Sequence, residues 1–224
     1  LLWLSLGEFC LSDNILSRHG LKSFSTPFSH CLTTIDYALQ ADREDFAHLL
    51  DASRIISAPR GNTTVWRNIG YTCEPELYEA SLRHGFEFTH HDVMGNPKHR
   101  ASFERKVQRW INARESGSEV TFLYHHRWTK APTIEPVKRK LKEFASQFAR
   151  SGSRCNIILS EQQISPGVDS VMALYRDEPH FWHAIFTTPR GWGGTDPNDL
   201  WARYDDGLIG DMLARVKADM AVAA

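Results

Sequence analysis

Nowhere in this 224-residue chain does an apolar run approach the roughly 18 residues a membrane-spanning helix needs. The opening LLWLSL is too short for a span, and it lacks the basic leader and cleavage site of a secretion signal. The chain opens on Leu1 rather than Met, as either a trimmed chain or a domain of a longer protein would. Cysteine is scarce: Cys10, Cys31, Cys73 and Cys155 show no C-x-x-C spacing. That argues against a disulfide framework and fits free thiols in a cytoplasmic protein. Excess charge is also missing. The formal net charge is -1, so no global attraction to nucleic acid or to a membrane surface is expected. Basic runs such as Lys138-Arg139-Lys140 fall in helical patterns beside acidic neighbours and read as solvated faces. No Gly-rich phosphate fingerprint follows the first strand, where Gly7 stands alone. No cofactor and no resident metal are expected.

What is present belongs to an ordinary globular protein, with 42% hydrophobic and 24% charged residues. The unusual feature is histidine: there are 11, several as adjacent pairs. Residues 2–6 read as a buried strand and 9–19 as a helix stopped by Gly20. SFSTPFSHC (23–31) is irregular, with Pro27 as a breaker. Residues 33–50 read as helical behind Thr33 or Thr34 as cap. Residues 53–73 are the least legible and suggest a hairpin, an insertion or a flap. FEFTHHD (86–92) and EVTFLYHH (119–126) read as strands with polar ends. CNIILS (155–160) is fit for burial on both faces. SVMALY (170–175) and HAIFTT (183–188) are further strands. Phe103, Val107, Trp110 and Ile111 form one helical face, and Val137, Leu141, Phe144 and Phe148 another. Leu208, Met212 and Val216 mark a last amphipathic helix. Strands alternating with helices throughout predict a single α/β domain over 1–224. The expected architecture is three-layer and Rossmann-like, a mostly parallel sheet with helices on both faces.

In open α/β sheets, sites form outside the carboxyl ends of the strands. The first strand delivers Gly7, Glu8 and Cys10 there. FEFT delivers His90, His91 and Asp92, VTFLY delivers His125, His126 and Arg127, and IILS delivers Ser160 and Glu161. Cys10 reads two ways. It is a small buried hydrophobe, or a nucleophile whose thiolate is favoured by the positive end of its helix and by a histidine. Backbone N–H groups at the same helix start suit an oxyanion hole. Of each histidine pair only one member faces a site if strand geometry holds, and the other packs. Arg127 suits a carboxylate or phosphate, or an ion pair.

SLGEFC, then LKSFSTPF, then FEFTHHD followed by FERKVQRW, resembles a bacterial family of unknown function labelled papain-like cysteine peptidase. The resemblance runs over roughly residues 4–127. It implies Cys10 as nucleophile, His91 as base and Asp92 as orienting acid, in a hydrolase or acyl transferase. Gly7, Glu8, His30, His90, His126 and Arg127 are then candidate substrate contacts, for a peptide or small-molecule substrate. The chain departs from the family pattern after the first helix: Pro27-Phe28-Ser29-His30 stands where Pro-Phe-Asp-Trp is usual, and His30 is a candidate replacement for the missing acid. The alternation also predicts a different fold from that of papain, which has a helical half and a barrel-like half.

Three other readings stay open. His90, His91, Asp92, His125 and His126 include the ligand types of a metal-dependent hydrolase, although no H-E-x-x-H spacing is present. Asp177 and His180 have the Asp-x-x-His spacing of an SGNH-like esterase. A glycosyltransferase-like or nucleotide-sugar-binding domain would use the loop GWGGTDPNDLW (191–201), with Trp192 and Trp201 as surface aromatics.

Overall fold

The apolar opening segment forms β1 (Leu2–Ser5), and the chain turns at once into α1 (Leu11–Arg18). The computed structural model describes residues 1–127, 134–193 and 196–223. After α1 come α2 (Ile35–Arg43), β2 (Ile55–Arg60), β3 (Thr63–Asn68), β4 (Phe86–Glu87), α3 (Pro97–Glu115) and β5 (Glu119–His126). Then follow α4 (Ile134–Ala149), β6 (Arg154–Ile164), β7 (Val171–Glu178), β8 (Phe181–Thr188), the short α5 (Pro197–Leu200) and α6 (Asp206–Ala223). The helix starts are chemically marked. Thr34 accepts from the Tyr37 N–H, and Asn96 caps α3 with Pro97 behind it.

The fold is α/β, with a mixed sheet flanked by helices. The main sheet has the order β1-β5-β6-β8-β7. Strands β1, β5, β6 and β8 run parallel, and β7 is antiparallel to β8. The antiparallel edge follows from chain length: only Pro179 and His180 separate β7 from β8, and so short a link can only reverse direction. A second correction concerns FEFT. Only Phe86 and Glu87 are strand, and they belong to a separate antiparallel sheet, β2-β3-β4, built from the segment that was hard to read.

The core lies against β5. Phe122 packs between Trp110 of α3, at 5.1 Å between ring centroids, and Phe144 and Phe148 of α4, at 5.3 and 5.0 Å. Each such ring contributes about 2–3 kcal/mol by leaving water. The Trp110 Nε1–H donates to Asp42 at 2.7 Å, which ties α2 to the same cluster. The neighbouring Thr121 donates to Met220 of α6, and Arg18 reaches Asp206 at 2.6 Å, linking α1 to α6.

Two long-range pairings position the site. Thr33 N–H donates to the Glu8 carbonyl, and Leu32 exchanges both backbone bonds with Glu87. The segment after Pro27 is thereby pinned between the end of β1 and the small sheet. His30 and His90, from distant parts of the chain, are carried over the start of α1.

Candidate active site

Cys10 stands at the N-terminal boundary of α1 with helical backbone angles, φ -63° and ψ -11°. Its side chain is buried, with 8% exposure remaining. Gly7 permits the tight entry, since a Cβ there would lie 2.5 Å from the Ser12 Oγ. Glu8 anchors the turn from below. Its fully buried carboxylate accepts from Tyr124 Oη at 2.7 Å and from the Arg127 N–H at 2.9 Å, and lies 2.8 Å from His126 Nδ1. Burial alone would raise its pKa, but His126 and these hydrogen bonds hold it below the ordinary value.

Asp13 lies one helical turn after Cys10. Its Oδ1 accepts from Ser29 Oγ at 2.6 Å and Ser5 Oγ at 3.1 Å; its Oδ2 lies 2.7 Å from Lys22 Nζ and 3.1 Å from His30 Nε2. Burial opposes ionisation, yet His30, Lys22 and Ser29 together hold this carboxyl well below the usual carboxylate range. His30 has φ +62°, a left-handed backbone that costs a non-glycine residue about 1 kcal/mol or more. The turn before it explains how that conformation is held. Thr26 Oγ1 donates to the Ser5 carbonyl, the Thr26 N–H donates to Ser29 Oγ, and Phe28 is buried against Trp110. Hydrogen bonding to Asp13 and then to Cys10 raises the His30 pKa to about 9.

His90 completes the cluster. Its Nε2 lies 3.7 Å from Cys10 Sγ, and its ring centroid is 6.3 Å from that of His30. Burial, and then the positive charge on His30, lower its pKa, so this imidazole is neutral near pH 7. The thiol is therefore covered by two histidines of opposite electrostatic character.

The other candidates take different places. The His91 ring packs on Phe103 at 4.9 Å and near His99 at 5.5 Å, and burial with nearby Lys106 pushes it down to about 4. Asp92 is exposed and caps its own turn, accepting from the N–H groups of Met94 and Gly95. The chain leaves strand geometry after Glu87 and turns, with the His91 N–H donating to the Phe88 carbonyl at 3.0 Å. Hence His90, and not His91, meets the thiol. His126 is fully buried with Glu8, so this pair supports the site from within the core. His125 is buried against Phe9 and Trp192, 3.1 Å from Ser160 Oγ, and burial pushes its pKa down to about 4. Arg127 lies over the Phe9 ring at 4.9 Å, with Nε 3.3 Å from Glu79.

Trp192, expected at the surface, is 4% exposed and donates from Nε1 to Asp205 at 2.6 Å. Trp201 is half-buried. Gly194 and Thr195 of the same loop lie outside the described residues. Among the described residues no group of three His, Cys, Asp or Glu side chains is arranged to hold a metal ion. Asp177 pairs with Lys138 at 2.8 Å, and His180 lies 2.9 Å from Asn156. His180 precedes β8, at the amino ends of the parallel strands, whereas Cys10 follows the carboxyl end of β1. The esterase-like pair and Cys10 therefore sit at opposite ends of the sheet. Asp13 was not singled out from the sequence. Its signal was the i, i+3 spacing from Cys10, which puts both on one helix face.

No curated protein and no solved structure matches the chain. A family model described as "Putative papain-like cysteine peptidase (DUF1796)" matches residues 1–151, a stretch that contains Cys10, Asp13, His30 and His90. The chain belongs to that family.

Proposed function

We propose that this protein is a cysteine-nucleophile hydrolase or acyl transferase in which Cys10 attacks an acyl carbon. The observation that carries the reading is the approach of His90 Nε2 to the Cys10 thiol at 3.7 Å, with His30, 3.1 Å from Asp13, lying 6.3 Å from the His90 ring between centroids. In this reading Cys10 and His30 form a thiolate–imidazolium pair, and Asp13 orients and sustains the imidazolium. These roles fall on His30 and Asp13 instead of His91 and Asp92, because His30 is ion-paired with Asp13 beside His90, whereas His91 packs on Phe103 and Asp92 is exposed.

The chemistry balances as acyl transfer. The Cys10 sulfur forms a bond to the acyl carbon, and the electron pair of the carbonyl moves to its oxygen. The first N–H groups of α1, which lack acceptors within the helix, are placed to receive that oxyanion. Collapse breaks the bond to the leaving group, which takes the proton of His30. Water or another acceptor then attacks the thioester, giving its proton to the now neutral imidazole, and the thiolate departs. His90, neutral and partly exposed, covers the sulfur and must move aside or bind substrate as it enters.

The test is iodoacetamide labelling at neutral pH, followed by peptide mass spectrometry. Cys10 is modified first, ahead of Cys31, Cys73 and Cys155. Equal, slow labelling of all four contradicts the reading.

A further inference from the structure

An open cleft of about 440 Å³ lies at the carboxyl ends of β5, β6 and β8, and one of its lining residues, Arg127, rests on Phe9. Its lining includes Glu79, Arg127, Gln162, Arg190, Trp192 and Asp199. Two arginines share this small space, and each guanidinium carbon lies over an aromatic ring. The Arg127 guanidinium lies 4.9 Å from the centre of the Phe9 ring, and that of Arg190 lies 4.6 Å from the Tyr204 ring. A guanidinium stacked on a ring keeps its N–H donors in the plane at its edge, the geometry that suits an oxyanion.

Each arginine faces one carboxylate. Glu79 is 3.3 Å from Arg127 Nε, and Asp199 is 3.8 Å from Arg190 Nη1. Gly193, also in the lining, keeps the approach open: a Cβ there would come within 3.2 Å of Arg127 Nη2. Both arginines retain solvent contact, with 34% and 55% of their side chains exposed.

The connection to Cys10 runs through Glu8 and Phe9. The Arg127 N–H is fixed by the Glu8 carboxylate at 2.9 Å, and its guanidinium rests on Phe9, the residue before Cys10. We infer that this cleft is a subsite for an anionic group, carboxylate or phosphate, on the substrate that acylates Cys10. The inference rests on the reading of Cys10 as nucleophile.

The test compares two alkylating agents of similar size, neutral iodoacetamide and anionic iodoacetate, at constant ionic strength. The rate ratio of iodoacetate to iodoacetamide is measured at Cys10 and on N-acetylcysteine. At Cys10 the ratio exceeds the reference by about tenfold. It falls toward the reference in Arg127→Gln and in Arg190→Gln. A ratio equal to the reference, with Cys10 still reacting readily with iodoacetamide, overturns the subsite and leaves the nucleophile reading intact. A raised ratio that survives both substitutions also overturns it, because the attraction then comes from His30. Failure of iodoacetamide to modify Cys10 overturns both. Phenylacetate and phenyl phosphate, added as competitors of iodoacetamide, separate the two anion types by which one protects Cys10. Protection by neither counts against the subsite.

Discussion

Asp13 Oδ2 lies 3.1 Å from His30 Nε2, and the same oxygen is 2.7 Å from Lys22 Nζ. A buried carboxylate with two cationic neighbours and two serine donors stays ionised, and hydrogen bonding to it raises the His30 pKa to about 9. The left-handed backbone at residue 30 and the Thr26–Ser29 turn serve to deliver that ring to Asp13 and Cys10.

The first prediction concerns the thiol's partners. His30→Gln slows iodoacetamide labelling of Cys10 at pH 7 by about tenfold. Asp13→Asn slows it by a smaller factor, because the imidazole stays in place but loses its charge partner. His91→Ala leaves the rate unchanged. Site-resolved mass spectrometry of timed reactions measures all three, and an effect of His91→Ala as large as that of His30→Gln contradicts the assignment.

Stability at high pH should carry the signature of His30. Its pKa rises from the ordinary 6.5 to about 9, so the folded protein holds this proton more tightly than the unfolded chain does. The resulting stabilisation is fully present below pH 6.5 and is lost as pH rises through about 9. Urea unfolding of the wild type should weaken across that window, and His30→Gln should flatten the slope.

At low pH the sign reverses for His125. Burial lowers it from 6.5 to about 4, so the unfolded chain binds the proton first. Stability therefore falls from pH 6.5 down to about 4, by about 3 kcal/mol for this group. His125→Asn should be less stable at pH 7 but lose less on acidification, measured by urea midpoints at each pH.

Glu8 is fully buried and paired with His126. Glu8→Gln removes one partner of a fully buried pair and should destabilise the protein by about 3–5 kcal/mol. Because Glu8 also fixes Arg127, the same variant should disturb labelling at Cys10. A stability loss under 1 kcal/mol would show that the His126–Glu8 contact is dispensable.

Much of the architecture could be read from local pattern. The apolar runs of β5 and β6 and the periodic faces of α3 and α4 come from short-range periodicity, and the structure contains all four. The small sheet could not be read, because β4 is two residues long and pairs with β3, whose other partner, β2, carries Pro59. That same fact decides the histidine. Had FEFTHHD stayed extended, strand alternation would have left either His90 or His91 facing the thiol. The turn after Phe88 depends on pairing between Leu32 and Glu87, 55 positions apart in the chain, which no local pattern carries. Trp192 misled for a related reason. A glycine-rich loop suggests the surface, but Asp205 and the rings of His125 and Phe186 bury this indole. The strand–glycine–helix junction that holds Cys10 was legible, and Asp13 has a legible spacing from it on the same helix.

The central claim is that the Cys10 thiol accepts an acyl group. The most direct measurement is intact-protein and peptide mass spectrometry after brief exposure to p-nitrophenyl acetate at neutral pH. The account predicts a hydroxylamine-labile acetyl group on Cys10, a matching burst of p-nitrophenolate, and loss of both in Cys10→Ala. An unmodified Cys10, or an equal burst from Cys10→Ala, would contradict it.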